Sequence, residues 1–469
     1  MTMVPCPVAL RRERATVAAI MGIALRGTLA GEEQRGLTLH QKRKRSIAMS
    51  GTIIKSARNT ANAPQDLSPS TQSVAFSHYN NISAQLPVDP KTGALVAGDI
   101  KAQARQCLTN IKAIVESIDH VMDDVVKITV FLKEITDLDA VNAVYGEFFP
   151  HLLPTRTVLA VAGLPLGAAV QMDALISNGE GTFPQAPCPL LKLSRNSDKA
   201  PQDPLSTHTV AFSHYNNIGA QLPVDAASGQ LVAGGIQQQA GQCLRNIKHV
   251  LESIDVPFDD IVKVTVYLTS LADLDAVNEV YTTFFPDSAI ARAVAYLPAR
   301  SVIVASALPL GARVQMDAVI SHGDGTPPQL VEDRHNLVIS ARNTDKAPRS
   351  PLHTQTVAFS HYNHIAGQLP VDLATGKILT GCVKEQTAQC LGHIKTIVES
   401  IGHVMDDIVK VNIQVKNIAD LADVDAIYTK YFPAYLPART VIGVSELPAG
   451  ALVQIDAVMS NAESTPPQA

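Results

Sequence analysis

Three arginines recur at one position of a repeated sequence, each two residues after a proline: Arg156, Arg300 and Arg439. A guanidinium group presents two parallel N–H donors that match the two oxygens of a carboxylate, and a lysine ammonium group cannot do this. A single arginine of this kind would be interpreted as a surface or ion-paired residue. The threefold recurrence at one register instead favours a binding site for a small carboxylate.

Three histidines recur in the same way, inside the stretches FSHYNN, FSHYNN and FSHYNH: His78, His214 and His361. Their imidazole groups could surround a three-fold axis and bind a metal ion there. Because no carboxylate or cysteine lies at ligand spacing from them, however, no metal site is expected. The asparagines that follow each histidine suit a left-handed turn, so a tight turn is predicted at residues 78–80.

These stretches belong to three copies of one domain-sized sequence. The three histidines are 136 and 147 residues apart, whereas solenoid repeats span about 20–50 residues. Segments rich in Gly, Pro and small polar residues close each copy and are typical of linkers. The expected units span residues 54–180, 190–325 and 336–462.

Composition and charge exclude several classes of protein. The chain has 469 residues, 46% of them hydrophobic, and no run of eighteen apolar residues, so no membrane partner is expected. Six cysteines without a CxxC pair argue against a secreted disulfide scaffold and favour a cytoplasmic location.

The first 48 residues differ in charge from the rest. They contain nine Lys/Arg against three Glu, so the remaining residues carry a net charge of −11. Such an acidic body is a poor partner for a phosphate backbone, and nucleic acid is not the expected ligand. Residues 1–48 are interpreted as a disordered leader or as an extension upstream of a true start at Met49. A weaker alternative is an organelle-targeting peptide.

Hydrophobic periodicity predicts the same elements in each copy. In the first copy, apolar steps of three and four indicate helices over 100–118 and 137–149, with Asp99 as an N-cap. Strands are predicted at 73–77, 81–86, 125–132, 156–161 and 169–177. The order ββ-α-β-α-ββ predicts an α+β unit, namely a mixed sheet with two helices on one face.

The last strand of each copy alternates between apolar and mixed positions. In the first copy, one set suits the helix-covered face of the sheet: Val170, Met172, Ala174 and Ile176. The intervening residues are partly polar. A mixed second face on three like units predicts that the sheets pack around a shared axis.

Together these residues resemble the RidA/YjgF family of enamine/imine deaminases, which is also described as endoribonuclease L-PSP-like. Three stretches carry the likeness in every copy: Gln-Leu-Pro-Val-Asp, Asp-Asp-(Val/Ile)-Val-Lys, and Phe-Pro followed by Pro-x-Arg and a Leu-Pro-x-Gly turn. The likeness covers about residues 54–460. It implies chorismate-mutase-like units that form trimers with ligand clefts between subunits. This chain would then be a single-chain pseudo-trimer whose repeats pair with each other, and the chain would be monomeric.

The resemblance also implies roles for individual residues. The recurring arginines would hold the substrate carboxylate. The family's water-orienting Glu is replaced, fifteen residues after each arginine, by Gln171, Gln315 and Gln454. Glutamine can hold a water molecule but cannot accept its proton. An alternative base lies two residues further along the same strand face: Asp173, Asp317 or Asp456.

Other positions implied to bind substrate differ among the copies. The family's Ser-Gly pair corresponds to Ser83-Ala84, Gly219-Ala220 and Ala366-Gly367. Its helical Asn corresponds to Asn142 and Asn278 but to Asp425 in the third copy, and its Tyr to Ser70, Ser206 and His353. Asn81, Asn217 and His364 are further candidates for lining the clefts. Three unequal clefts are therefore expected.

The second copy should diverge most. It contains eight additional residues before Arg300, and this loop at 288–295 is expected to lie over or beside the cleft. The second copy also has Gly219 where the first copy has Ser83, so we expect one hydroxyl group fewer near the same cleft.

The leading functional hypothesis is hydrolytic deamination of reactive 2-imino or 2-enamino acids, such as 2-aminoacrylate, to 2-keto acids and ammonia. No metal or organic cofactor is expected, because a protonated imine is already electrophilic. The alternative is a non-catalytic protein of the same fold that binds a small carboxylate or regulates a partner, and the Glu-to-Gln change favours it. RNA cleavage, implied by the family's other description, is disfavoured by the acidic body and the lack of a basic-aromatic patch.

Overall fold

The computed structural model describes residues 56–65, 67–177, 192–285, 296–321 and 339–461, which belong to one compact unit spanning residues 53–469. The predicted leader at 1–48 and the inserted loop at 288–295 lie outside the described residues. Within the described ranges, no helix combines the length and the hydropathy needed to cross a membrane.

Three copies of one α+β unit follow each other along the chain. The first contains β1 (Ser56–Arg58), β2 (Ser73–Phe76), β3 (Tyr79–Gln85), α1 (Ile100–Ser117), β4 (Val125–Leu132), α2 (Leu138–Phe148), β5 (Thr155–Ala160) and β6 (Val170–Ser177). The second contains β7 (Leu193–Arg195), β8 (Thr209–Phe212), β9 (Tyr215–Gln221), α3 (Ile236–Glu252), β10 (Ile261–Leu268), α4 (Leu274–Phe284), β11 (Ala299–Val304) and β12 (Val314–Ser321).

The third copy has the same order with one additional two-stranded ribbon. It contains β13 (Ser340–Arg342), β14 (Thr356–Phe359), β15 (Tyr362–Gln368), β16 (Val371–Asp372), β17 (Lys377–Ile378), α5 (Val383–Ser400), β18 (Ile408–Val415), α6 (Leu421–Tyr428), β19 (Ala438–Gly443) and β20 (Val453–Ser460).

Each copy forms a six-stranded mixed sheet. In the first copy the strand order is β1-β2-β3-β6-β4-β5, and the other copies repeat it. Strand β5 runs parallel to β4 because α2 connects them as a crossover, and the remaining neighbours are antiparallel. This confirms the predicted α+β class. The short edge strand β1 was not predicted.

One face of each sheet is covered by the two helices of its own copy. Helix α1 begins where the sequence predicts, because the Asp99 carboxylate accepts a hydrogen bond of 3.0 Å from the N–H of Ala102. The alternating apolar residues of β6 join the buried core beneath the helices: Val170, Met172, Ala174 and Ile176. The prediction that these residues lie on the helix-covered face of the sheet is therefore confirmed.

The predicted turn at residues 78–80 is displaced toward the N-terminus. Strands β2 and β3 pair as far as Phe76 and Tyr79, so the turn consists of Ser77 and His78. The left-handed residue is Ser77, with φ 50°, and the equivalent serines of the other copies have φ 53° and 49°. Asn80 and Asn81 lie within β3 because Tyr79 is already buried at the junction of the three sheets.

The other faces of the three sheets pack together around a common axis. Tyr79 donates a hydrogen bond to the carbonyl of Phe212 in the second copy. Tyr215 repeats this contact into the third copy, and Tyr362 closes the ring by donating to the carbonyl of Phe76. Two hydrophobic clusters contain residues from all three copies. The chain is therefore a pseudo-trimer, as expected.

Candidate functional site

Neighbouring copies meet where a strand of one sheet lies beside a strand of the next: β5 with β9, β11 with β15, and β19 with β3. Each junction brings the arginine of one copy to the glutamine of the next. The glutamine side chains donate to carbonyl groups of Val441 (Gln171, 3.2 Å), Val158 (Gln315, 2.7 Å) and Val302 (Gln454, 2.9 Å). Each of these valines lies two residues after an arginine, on the same strand.

The pairs at these junctions mark three candidate clefts, named here after their arginines. They are the Arg439 cleft with Gln171, the Arg156 cleft with Gln315, and the Arg300 cleft with Gln454.

The Arg439 cleft is a cavity of about 160 Å³ between the third and first copies. Its lining includes Ser70, Ser83, Ala84 and Gln171. The Ser83 hydroxyl accepts a hydrogen bond of 2.8 Å from the backbone N–H of Arg439 and donates one of 2.6 Å to the carbonyl of Thr71. This hydroxyl therefore joins the two copies at the base of the cleft.

All three arginines are buried against a tyrosine of the second helix in their copy. The guanidinium carbons lie 4.8, 4.4 and 4.6 Å from the ring centres of Tyr145, Tyr281 and Tyr428, a distance that permits cation–π attraction. In each arginine the buried Nε has no hydrogen-bond partner among the described residues. A buried donor without a partner is energetically costly, so these groups are well suited to bind an anion.

The surroundings of the three guanidinium groups differ. Arg156 donates a hydrogen bond of 2.8 Å to Asn142 and lies 3.4 Å from the carboxylate of Asp203. Arg439 forms an ion pair with Asp425.

Arg300 has no ion-pair partner among the described residues. Burial lowers the pKa of Arg300, and its Nη2 also lacks a partner in the described ranges. The Oδ1 atom of Asn278 is likewise buried without a partner there. Of the three arginines, Arg300 is therefore the least compensated.

The expectation that Gly219 affects the Arg300 cleft is wrong. A Cβ atom at Gly219 would lie 3.2 Å from the backbone nitrogen and oxygen of Arg156, so this residue belongs to the Arg156 cleft. There, the hydroxyl of Ser206 accepts a hydrogen bond of 3.0 Å from the N–H of Arg156. Ser206 thus makes the contact that Ser83 makes in the Arg439 cleft. Because Ser206 and Ser83 lie at different positions of the repeat, a comparison of equivalent positions does not show that one hydroxyl replaces the other.

The Arg300 cleft takes its second side from the third copy. A Cβ atom at Gly367 would lie 3.2 Å from the side chain of Gln454. Ala366 is fully buried on β15, whereas Ala84, Ala220 and Gly367, the second residues of the three pairs, are half-buried. Burial and the positive charges of Arg300 and Lys263 lower the pKa of His353 to about 3. His353 is therefore neutral in the physiological range.

The alternative in which an aspartate replaces the family's Glu is wrong. Asp173 accepts from Lys410 at 3.2 Å and from Thr440 at 2.6 Å. Because Thr440 follows Arg439 directly in β19, its side chain faces away from the Arg439 cleft. Asp317 and Asp456 lie near lysines of other copies in the same way, at 2.8 Å and 3.9 Å.

These aspartates line a central cavity of about 190 Å³ on the common axis. Asn81, Asn217 and His364 also line this cavity, and Asn81 is not among the residues that line the Arg439 cleft. A register shift between Ile82 and Gln85 interrupts the alternation of β3, so Asn81 and Ser83 do not share a face. Equivalent shifts are present in β9 and β15.

The three histidines of the repeated stretch meet on the axis. His78, His214 and His361 each offer a ring nitrogen, and these atoms lie within 4.8 Å of one another.

The fold and the clefts define a class of protein: an α+β pseudo-trimer with a buried arginine at each junction between repeats. A model of the endoribonuclease L-PSP family matches residues 60–177, 200–321 and 345–460. The chain therefore belongs to the endoribonuclease L-PSP (RidA/YjgF) family, which confirms the predicted resemblance.

Curated relatives match one copy at a time. A RutC family protein of Pyrococcus horikoshii is 41% identical over 116 residues, which are 25% of this chain and 92% of that protein. A 2-iminobutanoate/2-iminopropanoate deaminase of Salmonella typhimurium is 44% identical over 119 residues, covering 25% and 92%. The crystal structure of the YjgF gene product from E. coli is 40% identical, covers 26% of this chain and 98% of its own, and has a TM-score of 0.25.

Proposed function

We propose that the chain hydrolyses small 2-imino acids to 2-keto acids and ammonia in the clefts between its repeats. One observation carries the proposal: at each junction, a glutamine of the next repeat donates to the strand of a buried arginine whose Nε has no partner in the described part of the chain. Relatives named 2-iminobutanoate/2-iminopropanoate deaminase support the choice of substrate class.

The arginine would hold the substrate carboxylate. Its free N–H groups can form charge-assisted hydrogen bonds with the carboxylate oxygens, each worth about 1.5–3 kcal/mol. Stacking on the tyrosine fixes the plane of the guanidinium group. A cavity of about 160 Å³ at Arg439 restricts the ligand to a small side chain.

The glutamine would position the attacking water. Its side-chain N–H already donates to a strand carbonyl, so its Oε1 atom is left to accept from a water molecule. The water oxygen adds to the carbon of the protonated imine. One water proton moves to the substrate nitrogen, the C–N bond breaks, and the second water proton passes from the new carbonyl oxygen to the departing ammonia, so the products are the keto acid and ammonium. The substrate nitrogen takes the proton that glutamine cannot accept.

The Arg300 cleft is the strongest site for turnover. It combines the arginine that has no ion-pair partner within the described ranges with His353, a titratable side chain at a position where the other copies have Ser70 and Ser206. A bound carboxylate would offset the charge of Arg300 and raise the pKa of this histidine toward its ordinary value.

A second function is favoured by the absence of the family's Glu from all three matched positions. In this alternative the clefts bind a small carboxylate without turnover, and the chain acts as a sensor or carrier.

One experiment separates the two functions. 2-Aminoacrylate is generated enzymatically, and formation of the keto acid is followed with the wild-type chain and with an Arg156→Ala/Arg300→Ala/Arg439→Ala triple variant. We expect acceleration by the wild type and none by the triple variant. The matched control is Arg105→Ala, which removes an exposed arginine paired with Glu147 and should keep the activity.

Binding of pyruvate is measured calorimetrically on the same proteins. Binding without acceleration would establish the non-catalytic alternative. If neither binding nor acceleration depends on the three arginines, both functions are wrong.

A further inference from the structure

Three imidazole groups from three different repeats converge on the common axis. The ring centres of His78, His214 and His361 are 5.0, 5.1 and 5.2 Å apart, and the rings are inclined to each other by 56–64°. The rings therefore form a nearly symmetrical triangle.

One of these histidines has an unsatisfied polar atom inside the protein. His361 is 8% exposed, and its Nδ1 atom is buried without a hydrogen-bond partner in the described part of the chain. A neutral imidazole nitrogen is the form that coordinates a metal ion.

A second layer of aromatic residues lies next to the triangle. Tyr79, Tyr215 and Tyr362 form a second triangle, with ring centres 6.0–6.3 Å apart. Phe76 contacts both layers, since its ring lies 6.3 Å from His361 and 5.8 Å from Tyr362. The two triangles are therefore adjacent.

The histidine triangle is also accessible from solvent. His78 and His214 are half-buried, whereas the three tyrosines are buried. An ion could reach the histidines from solvent without passing the tyrosines.

We propose that His78, His214 and His361 form a binding site for one divalent transition-metal ion, with Zn²⁺ as the ion best suited to three imidazole ligands. A site with three protein ligands leaves a fourth tetrahedral position for water or a small anion. The ion would join the three repeats at one end of the axis. This site is separate from the three clefts and does not depend on the proposed deaminase activity.

The three ring nitrogens need to move only a short distance toward one another to bind one ion. Zn–N bonds of about 2.0–2.1 Å in tetrahedral coordination place ligand nitrogens about 3.3–3.5 Å apart. The ring nitrogens already lie within 4.8 Å of one another. Rotation about the χ2 angle, which is broad for histidine, can supply the difference without moving the backbone.

The test measures metal binding by the full chain. The protein is treated with EDTA, exchanged into metal-free buffer and titrated with Zn²⁺ by calorimetry and with Co²⁺ by visible absorption. We expect one ion per chain and a tetrahedral Co²⁺ spectrum. His361→Asn, His78→Asn and His214→Asn should each weaken binding at least about 100-fold, which exceeds the effect typical of second-shell changes. Exposed His151→Asn is the matched control and should bind as the wild type does.

Zn²⁺ should also raise the Tm of the wild type but not of His361→Asn, because an ion that binds only the folded state stabilises it. Where a variant does not fold, X-ray absorption of the zinc-loaded wild type decides: three imidazole ligands without sulfur are expected. Absence of binding, ligation by sulfur, or unchanged affinity in the histidine variants would overturn the proposal.

Discussion

The ion pair between Arg439 and Asp425 offers a direct test of the carboxylate site. The other two copies have Asn142 and Asn278 at this position, so only the Arg439 cleft has a protein carboxylate there. A substrate carboxylate that reaches Arg439 must share the guanidinium group with Asp425. Replacing Asp425 with asparagine should therefore tighten binding of a small carboxylate such as pyruvate.

The size of the effect follows from burial and distance. The side chains of Arg439 and Asp425 are 1% and 25% exposed. Two carboxylates bound to one guanidinium group lie about 5 Å apart, and at an effective dielectric constant of about 20 they repel by ~3 kcal/mol. Partial exposure of Asp425 and dissolved salt reduce this value. We expect a gain of about 1–2 kcal/mol, which corresponds to about 5–30-fold tighter binding.

Calorimetry with pyruvate measures this gain in an Arg156→Ala/Arg300→Ala background, where only the Arg439 cleft retains its arginine. Asn142→Asp in the Arg300→Ala/Arg439→Ala background is the reciprocal control and should weaken binding by a similar factor. If Asp425→Asn leaves the affinity unchanged or lowers it, Arg439 does not hold the ligand carboxylate in the manner proposed.

Three further predictions address cleft assembly and stability. In double-mutant cycles on pyruvate binding, Arg156→Ala should couple to Gln315→Ala by about 0.5–3 kcal/mol and should be additive with Gln171→Ala. Coupling of Arg156→Ala to Gln171→Ala instead would show that each cleft is formed within one repeat. Burial and nearby lysines lower the pKa of His364 to about 3. The folded protein therefore loses free energy of unfolding as the pH falls from 6.5 toward 3, because the unfolded chain protonates this histidine and the folded chain does not. Between pH 7 and pH 5, the free energy of unfolding of His364→Asn should rise by ~2 kcal/mol relative to that of the wild type, as measured by urea unfolding. A difference between the two proteins that does not change with pH would contradict this. Deletion of residues 288–295 should change pyruvate affinity or stoichiometry at Arg300, and unchanged calorimetry would show that the loop has no role there.

The fold was largely predictable because its signals are local. The β6 alternation identified the helix-covered face of the sheet, and Asp99 identified the start of α1. The hairpin was predicted less well, since Asn80 and Asn81 have turn propensity but lie in β3. Burial of Tyr79 at the axis outweighs that propensity, and this tertiary effect has no signal in the local sequence.

The site was only partly predictable because it is assembled from different repeats. The recurring arginines and glutamines were found, but not the rule that Arg156 meets Gln315. The exchange of Ser83 for Ser206 was missed because the first hydroxyl comes from strand β3 and the second from the loop before β8, yet both reach the same backbone position in different clefts. No metal site was expected at His78 because no second ligand lies near it in the sequence. The histidines that meet it in the fold are more than a hundred residues away along the chain.

Assembly from two repeats also determines how the three clefts can diverge. A homotrimer must carry any substitution in every cleft, whereas here each repeat contributes an arginine to one cleft and a glutamine to another. The acidic change at Asp425 therefore affects the Arg439 cleft, while His353 in the same repeat acts on Arg300. Repeat three thus places a carboxylate beside the arginine of one candidate cleft and a titratable group beside the arginine of a second. Covalent linkage of the copies makes this separation of roles possible without loss of the shared axis.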